Sequence, residues 1–236
     1  MRYWLFVLLT LALAALIGWS TYQSARLLRR WKPDYNLLLS PAENLARVGL
    51  LLVGVGLGLL SGLPARALGW GWPPKAADLA AGAAVGVGLS LALTAASDRA
   101  IRRWGSAIYS PTVILNVLPT NPRQWALVLA ALGPAVAVEE LLFRSLLIGG
   151  LSPLAPTWLL AVGVSVYFGL LHLPQGRLGV VGTAVAGLAL SALFIATGSL
   201  AAALTAHYAA NVLQLVQAGR RREDLLALEE GGAGGT

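Results

Sequence analysis

The sequence predicts an all-α protein, a polytopic transmembrane helical bundle of about seven helices, with six to eight as the range. Three observations lead to this fold class. The 236 residues are 57% hydrophobic and only 11% charged, whereas soluble domains carry about 25% charged residues. The apolar residues are gathered into long runs, and about 20 of them in a row suffice to cross a bilayer core. Cysteine is absent, which excludes disulfides, thiolate nucleophiles and cysteine-ligated metals.

Seven apolar runs follow one another along the chain, and each is expected to form one helix. They span residues 3–20, 48–63, 76–96, 125–148, 157–173, 178–197 and 200–216. Tryptophans such as Trp4, Trp19 and Trp158 fall near the ends of these runs, where an indole ring can sit between acyl chains and water. Glycines recur four apart in the second and third runs, for example Gly82 and Gly86, and this spacing predicts close helix packing.

The basic residues indicate how the chain is oriented. Successive loops between the expected helices lie on alternate faces of the membrane. Counted in this way, thirteen Lys and Arg residues lie on one face and three on the other, with Arg144 left out because it lies within a run. The positive-inside rule then places the N-terminus outside and the C-terminus in the cytoplasm, in a multi-pass cell membrane protein. The basic residues behind the net charge of +7 are expected to contact membrane lipid headgroups. No nucleic-acid partner is expected.

The first run also has features of a signal peptide, because Arg2 precedes an apolar stretch and the segment 18–20 loosely fits a cleavage site. Cleavage would move the basic loop that follows to the outside and invert every later loop. That arrangement would contradict the thirteen-to-three distribution of Lys and Arg. We therefore expect a retained first helix.

Glu139, Glu140 and Arg144 lie inside the fourth run, where an ionisable side chain costs roughly 2.5 to 3.5 kcal/mol on insertion scales. Glu140 and Arg144 are four residues apart, so they share one helix face and suit an ion pair. Neighbouring residues point about 100° apart, so Glu139 lies on another face. It is the free carboxylate and a candidate base or acid.

Two further clusters carry the only histidines of the chain. Phe168 and His172 are four apart in the fifth run, and His207 and Asn211 are four apart in the seventh. His172 could orient or deprotonate a water molecule, while Phe168 could simply pack. His207 and Asn211 share a face and could stabilise an oxyanion. On chemistry alone, hydrolysis stands against proton or ion transport as the main competing interpretation.

The three clusters resemble the motifs of the CPBP family of membrane proteins, which includes CAAX prenyl proteases and bacteriocin-processing or Abi-like immunity proteins. Glu-Glu-x-x-x-Arg, Phe-x-x-x-His and His-x-x-x-Asn occur in the family's order. Ser145 stands where a glycine usually follows the arginine. The resemblance covers about residues 125–216.

The resemblance implies an intramembrane endopeptidase that cleaves a peptide or protein substrate, including a lipidated one, near the cytoplasmic face. Glu139 and His172 would activate water, and His207 and Asn211 would hold the oxyanion. Glu140, Arg144 and Phe168 would support them. The site could work without a cofactor, which we favour, or with a divalent metal such as zinc held by Glu139, His172 and His207. The alternatives are a non-enzymatic scaffold or bacteriocin-immunity protein, or a proton-coupled transporter, for which no internal repeat is visible.

The chain accordingly divides into three parts. Residues 1–120 form N-terminal helices and loops of uncertain role, residues 121–222 form the catalytic core, and residues 223–236 are expected to form a disordered cytoplasmic tail. If the fourth helix starts on the cytoplasmic side, Glu139 lies roughly 22 Å along it, whereas His172 lies near a cytoplasmic end. We therefore expect either a break at Gly133-Pro134 or a site in a deep cavity that opens to the cytoplasm.

Overall fold

The computed structural model describes residues 1–28, 33 and 35–233. Within these residues there are nine α-helices, one π-helical segment, short 3₁₀ turns and no β-strand. The α-helices are α1 Arg2–Leu28, α2 Pro41–Ser61, α3 Ala76–Trp104, α4 Thr112–Val117, α5 Pro122–Glu140, α6 Thr157–Leu170, α7 Gly176–Thr197, α8 Leu200–Arg220 and α9 Arg222–Ala233. The π-helical segment, Leu141–Gly149, continues α5. The predicted all-α bundle is confirmed.

Five of the described helices are long and apolar enough to cross a membrane, namely α1, α2, α3, α5 together with the π-helical segment, and α7. Helix α6 is apolar but has only 14 residues. Helix α8 is long enough, but its polar residues, which include His207 and Asn211, keep it out of this group. The chain is a multi-pass membrane protein.

Local sequence sets where the site-bearing helices begin. In α5, Asn121 Oδ1 accepts a hydrogen bond from the Gln124 amide at 2.9 Å, and Pro122 occupies the first helical position. In α8, Ser199 Oγ accepts from the Ala202 amide at 3.3 Å. Each cap satisfies an amide that has no partner in the first helical turn, so both helix starts follow from the sequence.

Helices α3 and α8 pack closely at two glycines. A Cβ atom added at Gly82 or at Gly86 would collide with the backbone carbonyl of Ala202 or of Ala206, respectively. Small residues four apart on both helices let the two backbones approach. The close packing predicted from the glycine spacing is confirmed for the third run, and it holds α8 in place directly beside His207.

Helix α1 is fixed to the bundle by hydrogen bonds and by a buried ring. The Tyr3 hydroxyl donates to the Gly150 carbonyl at 3.0 Å, and the Tyr167 hydroxyl donates to the Ala14 carbonyl at 2.6 Å. Phe6 is fully buried in the main hydrophobic cluster. These contacts attach α1 to α6 and to the end of the π-helical segment.

Of the two expected alternatives, the break at Gly133-Pro134 is wrong, because α5 runs without interruption through Pro134. A proline removes one helical hydrogen bond, but Val128, Leu132 and Val136 bury their side chains in one cluster on both sides of it. This packing keeps the helix together. The irregular backbone lies later, where Gly150 N bonds to Ser145 O at 2.8 Å in the five-residue pattern of a π-helix.

The C-terminal segment also differs from expectation. Residues 222–233, most of which the sequence predicts to be disordered, form α9. Glu223 and Asp224 lie in its first turn, where acidic side chains interact favourably with the helix dipole. Thr112 in α4 donates a hydrogen bond to Glu229 at 3.0 Å, which attaches α9 to the bundle. The last three residues of the predicted tail, 234–236, lie outside the described residues.

Candidate active site

Glu140 and Arg144 form a fully buried ion pair where α5 passes into the π-helical segment. Arg144 Nη1 donates to Glu140 Oε1 at 2.9 Å, and the two side chains are 1% and 0% exposed. The pair expected from their spacing is therefore present. A buried pair repays its desolvation only when further hydrogen bonds accompany it, and both residues have such contacts.

Arg144 is held on two further sides. Its Nη2 donates to the Gly187 carbonyl of α7 at 3.1 Å, and its guanidinium carbon lies 5.1 Å from the centre of the Phe168 ring, within the range of a cation–π interaction. A Cβ atom at Gly187 would lie 3.2 Å from Phe168 and 3.3 Å from Ser165. Glycine at this position allows the close approach of α6 and α7 that brings the carbonyl to Arg144.

His207 of α8 lies between the two glutamates. Its Nδ1 is 2.7 Å from Glu140 Oε1, and its Nε2 is 3.7 Å from Glu139 Oε2. The two carboxylates leave α5 in different directions, as their adjacent positions predict, yet one imidazole ring reaches both of them. The His207 side chain is 10% exposed and that of Glu139 is 38% exposed. Glu139 is thus the accessible carboxylate of the site.

The hydrogen bonds assign protons within this group. Glu140 Oε1 accepts from Arg144 and lies within hydrogen-bonding distance of His207 Nδ1. A carboxylate beside a guanidinium acts as an acceptor, so Nδ1 of His207 carries hydrogen and donates. Nε2, on the other side of the ring, is the nitrogen directed at Glu139.

His172 follows the end of α6 and is half-buried. Its Nδ1 is 2.8 Å from the Phe168 carbonyl oxygen. A carbonyl can only accept, so Nδ1 is the protonated nitrogen. In the neutral ring, Nε2 then keeps a lone pair that could take a proton from water or coordinate an ion.

Phe168 is buried and contacts both histidines. Its ring centre is 4.7 Å from that of His172 and 6.0 Å from that of His207, the second pair being T-shaped. Phe143 packs edge-on against the same ring at 4.9 Å. Phe168 does pack, and through these contacts it positions Arg144 and both imidazole rings.

A cavity of about 150 Å³ lies beside Glu139 and His172. Most of its lining is apolar and comes from α5, α6 and the π-helical segment, but Ile17 and Thr21 of α1 form part of its wall. Sequence reasoning missed these two residues, since nothing in the pattern of α1 distinguishes its cavity-facing side. It also missed Gly187, because the backbone carbonyl that Arg144 needs carries no signal in the sequence.

Asn211 lies one helical turn after His207 in α8 and is partly exposed. Within the described part of the chain its side chain makes no hydrogen bond to the glutamates or histidines. The structure thus brings together Glu139, Glu140, Arg144, Phe168, His172 and His207. Asn211 is not joined to that group by any hydrogen bond among the described residues.

The predicted metal ligands do not form a ready metal site. A catalytic zinc ion needs three protein ligands about 2 Å from the metal. Across residues 1–28, 33 and 35–233, no three His, Asp or Glu side chains converge in this way. Glu139 and His207 approach each other, whereas His172 is not part of such a group.

The fold and the site together define a class of protein, a multi-pass helical membrane protein that buries a cluster of carboxylates, an arginine and imidazoles beside a cavity. Residues 121–213 match the family model named Rce1-like and described as Type II CAAX prenyl endopeptidase Rce1-like. This part of the chain is an Rce1-like domain, consistent with the CPBP family of intramembrane proteases.

The match runs from the start of α5 into α8 and includes every candidate residue from Glu139 to Asn211. At a coarse level it supports a CAAX-protease-like intramembrane endopeptidase, which is a hydrolase. No curated protein and no solved structure gave a significant match. Helices α1 to α3 lie outside the matched residues.

Proposed function

We propose that the protein hydrolyses a peptide bond at or near the cytoplasmic membrane face, using a water molecule activated by Glu139 and His172. One observation carries the proposal. Glu139 Oε2 and His207 Nε2 are 3.7 Å apart, and Glu139 lines the same cavity as His172. An accessible carboxylate, a histidine with a free ring nitrogen and a buried donor thus meet where a substrate carbonyl could enter.

Water activation is assigned to Glu139 because it is the more exposed of the two glutamates and forms no ion pair with any arginine among the described residues. Glu140 is occupied by Arg144 and His207. Glu139 would take a proton from water as the water oxygen attacks the carbonyl carbon, and would then pass that proton to the departing amine. His172, with its Nδ1 hydrogen committed to Phe168 O, offers Nε2 to the same water.

Oxyanion stabilisation is assigned to His207 and Asn211. In the tetrahedral intermediate the attacking oxygen and the oxyanion are bonded to one carbon, so the base and the donor must lie close together. The 3.7 Å separation of Glu139 and His207 meets this requirement. A protonated His207 would balance the charges of Glu139, Glu140 and Arg144, which makes the imidazolium form with an Nε2 hydrogen the reasonable donor.

The substrate class follows from the location of the site. Glu139 and His207 lie in helices packed within the bundle, so the substrate is proposed to be a membrane-associated peptide or protein that enters from the lipid or its interface. The Rce1-like domain makes a lipidated substrate a natural choice for a first assay. The N-terminus is proposed to lie outside and the C-terminus in the cytoplasm, as the distribution of Lys and Arg indicates.

The test is a cleavage assay with purified protein in detergent and a panel of plain and prenylated peptides. The expected result is cleavage by the wild type and its loss, by about 10²-fold or more, in Glu139→Gln and His172→Ala. Cleavage that persists in both variants would refute the assigned roles. Peptide binding without cleavage, unchanged in Glu139→Gln, would instead favour the non-enzymatic scaffold.

A further inference from the structure

The wall that α1 contributes to the cavity is not part of the Rce1-like domain. Ile17 and Thr21 line the cavity together with Glu139 and His172, but they precede the matched residues 121–213 by about a hundred positions. The site is therefore completed by a helix that the family match does not include. Because Ile17 and Thr21 line the cavity but lie outside the matched domain, they can determine which substrate side chain fits.

The position of this wall is fixed rather than incidental. Ala14 is buried and its carbonyl accepts the 2.6 Å hydrogen bond from Tyr167 of α6. Gly18 faces the same tyrosine, whose hydroxyl occupies the space that a Cβ atom would need. Residues 14, 17, 18 and 21 lie on one face of a helix. The contacts at Ala14 and Gly18 thus place Ile17 and Thr21 at the cavity.

The size and lining of the cavity indicate what it accepts. Its volume is about 150 Å³, and an apolar protein cavity of that size is known to hold one benzene molecule. Apart from Glu139, His172 and Thr21, the lining consists of Ile17, Val138, Leu142, Phe143, Phe168 and Leu171. This space suits one side chain of the size of leucine or phenylalanine, and a whole isoprenoid chain exceeds its volume.

We infer that Ile17 and Thr21 are specificity-determining residues that close a subsite for one apolar side chain of the substrate, next to the bond that Glu139 and His172 reach. The position of the scissile bond rests on the proposed function, whereas the binding of an apolar side chain does not. The subsite selects by volume, because an added group that collides with Ile17 must displace a helix held by Tyr167.

The absence of cysteine from the chain makes a binding test possible that needs no catalysis. Thr21→Cys places one thiol at the cavity with little change in shape, and Ser20→Cys places a matched thiol at the exposed neighbouring position. Both are made together with Glu139→Gln in purified full-length protein in detergent, so that the peptide is not consumed. Thiol labelling is then followed with short peptides that differ only in a central Gly, Leu, Phe or Trp.

The Leu and Phe peptides are expected to slow labelling of Thr21→Cys about tenfold, while the Gly and Trp peptides leave its rate unchanged. Labelling of Ser20→Cys should not respond to any of them. The inference is overturned if no peptide protects Thr21→Cys, if Gly protects as well as Leu, or if Ser20→Cys is protected equally.

A second pair of variants keeps the test decisive should Thr21→Cys not fold. Ile17→Ala enlarges the cavity, and Leu16→Ala removes a similar side chain from the lipid-facing side of α1, where Leu16 is 59% exposed. With the native Glu139, Ile17→Ala should shift the preference in kcat/KM toward the Trp peptide by about tenfold, and Leu16→Ala should not shift it. An unchanged preference in Ile17→Ala overturns the inference.

The two proposals fail in different ways. Protection of Thr21→Cys without cleavage of any peptide by the wild type would leave the subsite standing and refute the peptidase. Cleavage that depends on Glu139, with no protection and no shift in preference, would leave the peptidase standing and refute the subsite.

Discussion

His207 and Glu140 are 67 positions apart in the chain, and they are joined by a 2.7 Å hydrogen bond in the interior of the bundle. Glu140 Oε1 also accepts from Arg144, so α5, α8 and the π-helical segment meet at one oxygen atom. The other nitrogen of His207 is directed at Glu139. Glu140 therefore serves as the anchor of the site, and Glu139, the more exposed of the two carboxylates, is the one that we propose acts on substrate.

This anchoring predicts strong energetic coupling between Glu140 and Arg144. Arg144→Met leaves a buried carboxylate without its main partner and should destabilise the protein by about 3 to 5 kcal/mol. The double variant with Glu140→Gln should cost clearly less than the two single changes together. The measurement is a double-mutant cycle from reversible unfolding in mixed micelles.

The matched control for this cycle is Glu43 and Arg47 in α2, which have the same four-residue spacing. Their ion pair is 3.9 Å long, and the Glu43 side chain is 57% exposed. An exposed pair contributes about 0 to 1 kcal/mol. Equal coupling energies for the two pairs would contradict the anchoring role of Glu140.

The contact between α3 and α8 predicts that Gly86 supports catalysis from a distance. Gly86→Ala pushes against the carbonyl of Ala206, the residue before His207, and should destabilise the bundle by about 1 to 3 kcal/mol. Displacing His207 should also lower kcat, because small misplacements of catalytic groups can cost up to about 10²-fold. Thermal unfolding and peptide cleavage are measured together.

Gly88→Ala is the control on the same helix, since a Cβ atom there meets nothing within 4 Å. It should be neutral or slightly stabilising, by up to about 1 kcal/mol, because alanine favours helix. If Gly88→Ala were as harmful as Gly86→Ala, helix packing at Gly86 would not be the cause.

We expect activity to be independent of metal. The predicted ligands Glu139, His172 and His207 do not converge as a set of three within the described residues, and glutamate-activated water needs no metal. Cleavage should survive prolonged incubation with 1,10-phenanthroline, and elemental analysis should find well under one metal ion per chain. Loss of activity that added zinc restores would show the opposite.

The orientation predicts which loops reach each side of the membrane. Ala65 follows α2 and Ser106 follows α3, and both are exposed. With an outside N-terminus, an impermeant thiol reagent should label Ala65→Cys in intact cells and label Ser106→Cys only after the membrane is disrupted. The reverse pattern would invert the topology.

The sequence predicts those parts of the structure that depend on local periodicity. Apolar runs predict the helices, and the four-residue spacing of Glu140 and Arg144 predicts their pair, because such residues are neighbours on any helix. Continuity through Pro134 is not predictable in this way, since it depends on the packing of Val128, Leu132 and Val136.

Contacts between distant segments cannot be predicted from the sequence for a similar reason. His207 donates a hydrogen bond to Glu140, and Arg144 donates one to the Gly187 carbonyl. Both bonds exist only once three helices are assembled. The same is true of Ile17 and Thr21 at the cavity. Spacing shows which residues share a helix face, but it does not show which helix lies opposite.

The central claim is that Glu139 is the catalytic carboxylate, and a single substitution tests it most directly. Glu139→Gln keeps the shape of the side chain and removes its ability to take a proton, while Glu223→Gln makes the same change at an exposed position in α9. The measurement is kcat and KM for the best peptide substrate of the wild type. We predict that Glu139→Gln lowers kcat by at least about 10²-fold with KM nearly unchanged and that Glu223→Gln changes neither, whereas a kcat for Glu139→Gln close to that of the wild type would contradict the account.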